Sequence, residues 1–324
     1  GASSDYGTLV GACAPPQLSV TTAVVKSPCF PSAPLEPPPA NATLELPKLI
    51  PFTPRSPPVI DFFMRSWYGD GHWLTFSLRA IARDVPRSMY HNIIINYATH
   101  EDAFFRSYLP HVTDLPIVLA PADDEYINQN HNGGRYASQI YAKYNPWKYS
   151  DADYRYFIHL DSGILITRPV TRADFVEDDG RTYYHARNAS TQPENAKIWV
   201  RTAAALLSHP VEWELMTQMP YVYGRDVYQN VIAHIEAVNG GLPLLDVARS
   251  VPNFCEFTTI CAYMVYHTPT RWEHRTACFT RGALLVRPVP RGGGVIRVYS
   301  ARAVRCPLQV RVTKLQHGVA RDCD

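Results

Sequence analysis

Tyr154–Pro169 reads YRYFIHLDSGILITRP, and the fold turns on how this stretch is read. Tyr154, Tyr156, Phe157, Ile158 and Leu160 favour a strand, which stops on Asp161, Ser162 and Gly163. A second apolar run, Ile164–Ile166, follows at once, and Pro169 closes the stretch. A continuous apolar run bounded by turn residues predicts a buried strand with a carboxylate at its C-terminal end. In open α/β sheets that edge is where ligands bind.

The flanking sequence supplies partners for such a strand. Val59–Met64 (VIDFFM) predicts a first buried strand, Arg65–Asp70 a polar turn, and Trp73, Leu74, Leu78 and Ile81 the apolar face of a helix. Ile93–Ile95 and Ile117–Ala120 predict two further strands. Tyr136, Ile140, Tyr144 and Trp147 mark a helix leading into the central strand. Strands alternating with helices predict an α/β fold, a mostly parallel Rossmann-like sheet flanked by helices.

Beyond Pro169 the pattern turns helical. It predicts helices over Ala196–Leu207 and Val211–Met219, and another through Val227, Val231, Ile232, Ile235 and Val238 that ends at Gly240-Gly241. Phe257, Ile260, Cys261 and Met264 predict one more, starting just after Glu256. Short apolar runs between Ala283 and Val312, broken by prolines and Gly292–Gly294, predict a C-terminal β appendage. Residues 1–57 hold twelve of the 28 prolines, so they are expected to form a stem or linker, with a short strand around Leu18–Val25. The expected organisation is therefore a stem over 1–57, a central domain over 58–275 and a β-rich extension over 276–324.

Hydrophobic content of 46% with 19% charged residues describes a globular chain, and a net charge of +2 gives no reason to expect nucleic acid as a partner. The arginine-rich stretch from Arg271 to Arg321 reads as a solvated basic face, with a polyanion site as the alternative. No apolar run reaches the ~20 residues of a membrane span. The chain starts Gly1-Ala2-Ser3, without methionine, and any membrane anchor is expected to lie outside this segment, as in a trimmed type II membrane or secreted protein. The seven cysteines form no CxxC pair, which argues against structural zinc. Cys13, Cys29, Cys306 and Cys323 near the ends are candidates for disulfides, while Cys255 and Cys261 sit in apolar context as buried thiols. Asn41-Ala42-Thr43 and Asn188-Ala189-Ser190 are sequons, and with the cysteines they point to the Golgi or another secretory-pathway lumen.

Asp161 is a candidate ligand for a divalent cation, with His267, His274, Asp151 or Asp153 completing the set; its bland reading is a turn residue. Lys143, Arg168 and Arg225 are candidates for phosphate oxygens. Arg65 and Asp70 follow the first strand, where base and ribose contacts are expected. Glu256, flanked by aromatic residues, is the candidate general base, with Asp226 and Glu236 as weaker alternatives; a helix-terminal carboxylate is the plain reading.

These residues resemble a known group. Asp61–Tyr68, Trp73-Leu74 and Leu78–Ile81 look like the opening of GT-A-type glycosyltransferases, nearest to a nucleotide-diphospho-sugar transferase-like family long catalogued as a domain of unknown function. Gln139 with Lys143, Ser150–Tyr154, Leu160–Ser162 and Arg168-Pro169 continue the likeness. So do Glu214–Met216, Pro220–Arg225, Ala233–Glu236, Phe254–Phe257 and Ala262-Tyr263. The likeness spans roughly 58 to 274. It implies a GT-A fold and a sugar-nucleotide donor (UDP- or GDP-sugar), which is expected to be contacted by Arg65, Asp70, Gln139, Lys143, Asp161, Ser162, Gly163 and Arg225. It also implies, as a rule, a divalent cation such as manganese; the residues themselves offer Asp161, His267 and His274 to hold it, and a glycan or glycoprotein is the expected acceptor. The expected activity is glycosyl transfer, inverting if Glu256 is the base. Gly163 stands where the family pattern has a second Asp, which motivates the alternative of a sugar-binding pseudoenzyme. A glycoside hydrolase with two facing carboxylates is a third reading.

Overall fold

The computed structural model describes residues 58–122, 132–150, 155–216, 219–268 and 272–274. At its centre β1 (Val59–Arg65) and β4 (Arg155–Asp161) run side by side in a five-stranded sheet. With β2 (Ile93–Ala98), β3 (Ile117–Ala122) and β8 (Tyr221–Gly224) the order is β3-β2-β1-β4-β8. β1 to β4 are mutually parallel, whereas β8 joins β4 antiparallel. The α/β class and the mostly parallel sheet are those the sequence predicts.

Register decides what each face carries, because side chains alternate along a strand. Phe63 pairs with His159 and Arg65 with Asp161, so Asp61, Phe63, Arg65, Phe157, His159 and Asp161 share one face. Phe63 meets the rings of Tyr149 and His159 there, and Phe157 meets Tyr228. On the opposite face Phe62 packs edge-on against Tyr90 and Phe175.

Seven helices occur among the described residues: α1 (Gly71–Asp84), α2 (Asp102–Tyr108), α3 (Asn132–Tyr144), α4 (Glu194–Leu207), α5 (Arg225–Val238), α6 (Leu244–Ser250) and α7 (Glu256–His267). α5 ends before Gly240 and Gly241, whose φ of 72° and 80° suits glycine, as the pattern anticipated. α7 is buried on nearly every side from Glu256 to Met264, as expected of a helix with little polar surface. It holds Cys261, and Cys255 precedes it; both are buried free thiols, as the apolar context predicted.

One expected helix does not form. Val211, Leu215 and Met219 have helical spacing, but Trp213–Glu214 is strand β7, antiparallel to β6 (Arg187–Asn188). Glu214 Oε1 accepts the Met216 N–H at 2.7 Å, so the segment satisfies itself in a turn, and pairing with a distant strand overrides the local pattern. A two-stranded sheet of β5 (Thr182–Tyr184) and β9 (Trp272–His274) completes the described architecture. The expected stem, the Leu18–Val25 strand, the terminal cysteines, Asp151, Asp153 and the C-terminal β appendage lie outside the described residues.

Burial keeps His159, His234 and the half-buried His267 neutral. His159 is fully enclosed by aromatic rings and bonded to the Tyr228 hydroxyl; burial, then the Lys143 ammonium, push its pKa well down. Burial also lowers His234, and it lowers His267, stacked on Tyr263 and His234, to about 4. The unfolded chain titrates these rings near ~6.5, so below that pH it binds more protons than the folded one. Their stabilising contribution is present above ~6.5 and is lost as pH falls, for His267 towards about 4. The thermal midpoint is expected to drop across this window, and His267→Asn to flatten part of the drop, measured by circular dichroism melts.

Candidate active site

The C-terminal edge of β4 carries the charge of the site. Lys143, in the last turn of α3, donates to Glu256 Oε1 at 2.7 Å and lies 3.4 Å from Asp161 Oδ1. The Lys143 and Glu256 side chains are each only 7% exposed, whereas Asp161 is 46% exposed. One carboxylate thus anchors the ammonium inside while the other meets solvent. Burial alone would lower the Lys143 pKa, but Glu256 and Asp161 raise it above its ordinary value, so the cation is permanent. Its Nζ also lies 4.8 Å from the centre of the Phe257 ring.

Glu256 opens α7, where the helix dipole favours an acid. The sequence suggested an apolar surrounding for it, from Phe254 and Phe257. Both rings are buried, but the carboxylate itself turns to the ammonium.

Arg65 ends β1 in register with Asp161. Its Nη1 donates to Asn96 Oδ1 at 2.6 Å, and the Asn96 amide donates onward to the Ala120 carbonyl at 2.8 Å, which ties the end of β1 to β2 and β3. Burial lowers the Arg65 pKa, opposed by Tyr149 and Glu101, and a guanidinium keeps its charge under such a shift. Asn96 and Glu101 escaped the sequence reading; a lone Asn within an apolar run, Ile93–Ala98, was the available signal.

Past the strand end, Ser162 Oγ donates to Asp70 Oδ2 at 3.0 Å. Ser77 of α1 reaches the Ser162 and Ile164 carbonyls at 2.6 and 2.8 Å, fastening the turn after Asp161 to α1. Trp67 and Tyr68 stand exposed beside Asp70, with the Tyr68 N–H on Glu101 Oε1 at 3.3 Å. Gln139 lies one helical turn before Lys143, partly exposed. Gly163 has no atom within 4 Å of an added Cβ and no positive φ, so its missing carboxylate is not demanded by space or backbone.

The structure therefore groups Arg65, Lys143, Asp161 and Glu256 around the strand ends, with Asp70 tied to Ser162. Other candidates fall elsewhere. β8 is antiparallel, and its last residue, Gly224, pairs with Tyr156, five residues before Asp161. At ~3.3 Å per residue this puts Arg225 and Asp226 about 16 Å down the strand, towards the opposite sheet edge. Arg225 covers the Trp147 ring at 5.2 Å. His267 ends α7, eleven residues from Glu256, about 16 Å along the axis at ~1.5 Å per residue. His274 ends β9 opposite Tyr184. Arg168 is paired with Asp174 at 2.8 Å, and Glu236 accepts the Leu244 N–H at 2.9 Å at the start of α6.

No group of three His, Cys, Asp or Glu able to hold a metal occurs among the described residues. A hard divalent cation needs fewer where phosphates take part: one or two carboxylates with phosphate oxygens and water suffice. Asp161 meets that requirement with its exposed carboxylate. Among the described residues the Lys143 ammonium meets Asp161 and Glu256, and Glu101 acts on Arg65.

No family model matches the chain, and no curated protein matches its sequence. Among solved structures the chain is similar to core-mannan synthase A from Aspergillus fumigatus in its Mn/GDP form, with 10% identity and a TM-score of 0.44 over 66% of this chain and 72% of that one. It is also similar to mouse xyloside xylosyltransferase 1 in its apo form, with 10% identity and a TM-score of 0.42 over 68% and 85% of the two chains.

Removing the ammonium leaves Glu256 buried and unpaired. Lys143→Met is expected to destabilise the fold by about 3–5 kcal/mol in urea unfolding, and the double change Lys143→Met/Glu256→Gln to recover a large part of that.

Proposed function

We propose that the chain is a GT-A-type glycosyltransferase that moves a sugar from a nucleoside-diphosphate sugar to a hydroxyl of a glycan or glycoprotein acceptor. The observation that carries this reading is Asp161, a half-exposed carboxylate at the end of a buried parallel strand, with Lys143 on one of its oxygens and Arg65 beside it in register. Such a position is where open α/β sheets receive phosphate-bearing ligands.

In the proposed reaction the acceptor oxygen bonds to the anomeric carbon while the bond from that carbon to the diphosphate breaks. The nucleoside diphosphate leaves with the electron pair, and the acceptor proton passes to a base. Arg65 and Lys143 supply fixed positive charge near the departing oxygens, and neither needs to reorganise when that charge develops. A divalent cation, when bound, would be held by Asp161 and would neutralise diphosphate charge. Exposed Trp67 and Tyr68, next to Asp70, offer flat surfaces for a nucleobase.

Inversion with Glu256 as base is the finer form of the reading. Its ion pair with Lys143 favours a positioning role, holding the ammonium against Asp161. A glutamine still accepts the lysine's hydrogen bond but cannot take a proton. Glu256→Gln is therefore expected to keep turnover within about tenfold, where loss of a general base costs roughly 10²–10⁴-fold.

The pseudoenzyme reading is favoured by Gly163 alone. Calorimetric titration with UDP and GDP, with and without manganese, tests both readings. Micromolar binding that weakens at least about tenfold in Asp161→Asn is expected. No nucleotide binding under any of these conditions would sink the transferase proposal. Gly163→Asp, which the backbone and the open space allow, is expected to strengthen the manganese dependence of binding.

A further inference from the structure

We propose that Asn188 carries an N-linked oligosaccharide whose first sugar rests on Trp213. This inference is independent of the transferase reading. It draws on the β6–β7 pair, a separate small sheet from the five-stranded one.

Asn188-Ala189-Ser190 is a sequon, and such tripeptides also arise by chance. The fold supplies what chance does not. Asn188 and Ser190 are exposed while Ala189 between them is buried, so the tripeptide is pinned with both polar side chains outward. The Ala189 N–H donates to the Glu212 carbonyl at 2.9 Å, fixing it to the neighbouring strand. Asn188 Oδ1 accepts from the Ser190 N–H at 2.9 Å and from its hydroxyl at 2.6 Å. Its Nδ2, the atom that would bear the sugar, makes no hydrogen bond to a described residue. Attachment therefore breaks no contact, and a large hydrophilic substituent has room.

The second observation lies across the strand. Asn188 pairs with Trp213 in the antiparallel ladder, and Trp213 is one of the few exposed large apolar residues among those described, at 37%. Directly opposite residues in such a ladder hold their Cβ atoms ~4.5–5.5 Å apart on the same face. An N-acetylglucosamine on Asn188 Nδ2 is then placed to lay the C–H face of its ring against the indole, which removes apolar surface from water.

The transfer is balanced without any group of this chain but the asparagine. The amide nitrogen loses one proton and bonds to the anomeric carbon of a lipid-diphosphate-linked oligosaccharide, and the lipid diphosphate leaves with the electrons of the broken C–O bond. The chemistry requires passage through a lumen that holds this donor, consistent with the expected secretory location.

The test is to secrete the chain from a eukaryotic cell and map its peptides after amidase release, which turns a modified asparagine into aspartate with a gain of about 1 Da. The Asn188 peptide is expected to show that gain, and Asn188→Gln and Ser190→Ala each to abolish it. Trp213→Ala is expected to leave the site occupied but to lower the thermal midpoint of the glycosylated chain roughly 2–4 °C more than that of the enzymatically deglycosylated chain. An unmodified Asn188 in the secreted chain overturns the proposal. Equal melting losses with and without the glycan overturn the role given to Trp213.

Discussion

A lysine ammonium placed inside the protein must be met by charge from several directions, and Lys143 imposes this on three separate elements. Glu256 holds it at 2.7 Å from the start of α7, and Asp161 stands 3.4 Å away at the end of β4. The partners are 113 residues apart in the case of Glu256, so the last turn of α3 and the first turn of α7 must converge on one strand end. Without them the buried charge would cost several kcal/mol. The arrangement spreads outward: His159, two residues before Asp161 on the same face, is kept neutral by burial and by the ammonium.

Burial separates the two acids that hold the ammonium. Asp161 and Glu256 are both acids beside apolar runs, yet one is half open to solvent and the other closed off. In the proposed reaction, contact with the donor belongs to the first. The second sets where the ammonium sits, which fixes the field the ligand meets. The ammonium is thus shared between two acids that differ in their access to solvent.

Strand direction decides the membership of the site as firmly as charge does. β8 is short, and its Tyr221–Gly224 sequence holds no signal of orientation. Because it runs against β4, the residues that follow it, Arg225 and Asp226, emerge towards the edge away from Asp161. Their types suited phosphate binding and proton transfer, but type does not report position. His267 is set apart for a related reason: eleven helical residues separate it from the Glu256 end of α7.

By itself the sequence determined the parallel core and its open edge, because apolar runs such as Ile60–Met64 and Tyr156–Leu160 are buried on both faces and therefore legible without partners. It also determined Arg65, Lys143 and Asp161 as edge candidates, since each lies at or just beside a predicted element end. Only the tertiary structure decided that Glu256 serves Lys143, that Asn96 braces Arg65, and that Val211–Met219 gives way to a strand paired with Arg187–Asn188. Each of those outcomes depends on a contact between residues far apart in the chain, where hydrogen bonding and charge pairing outweigh local propensity.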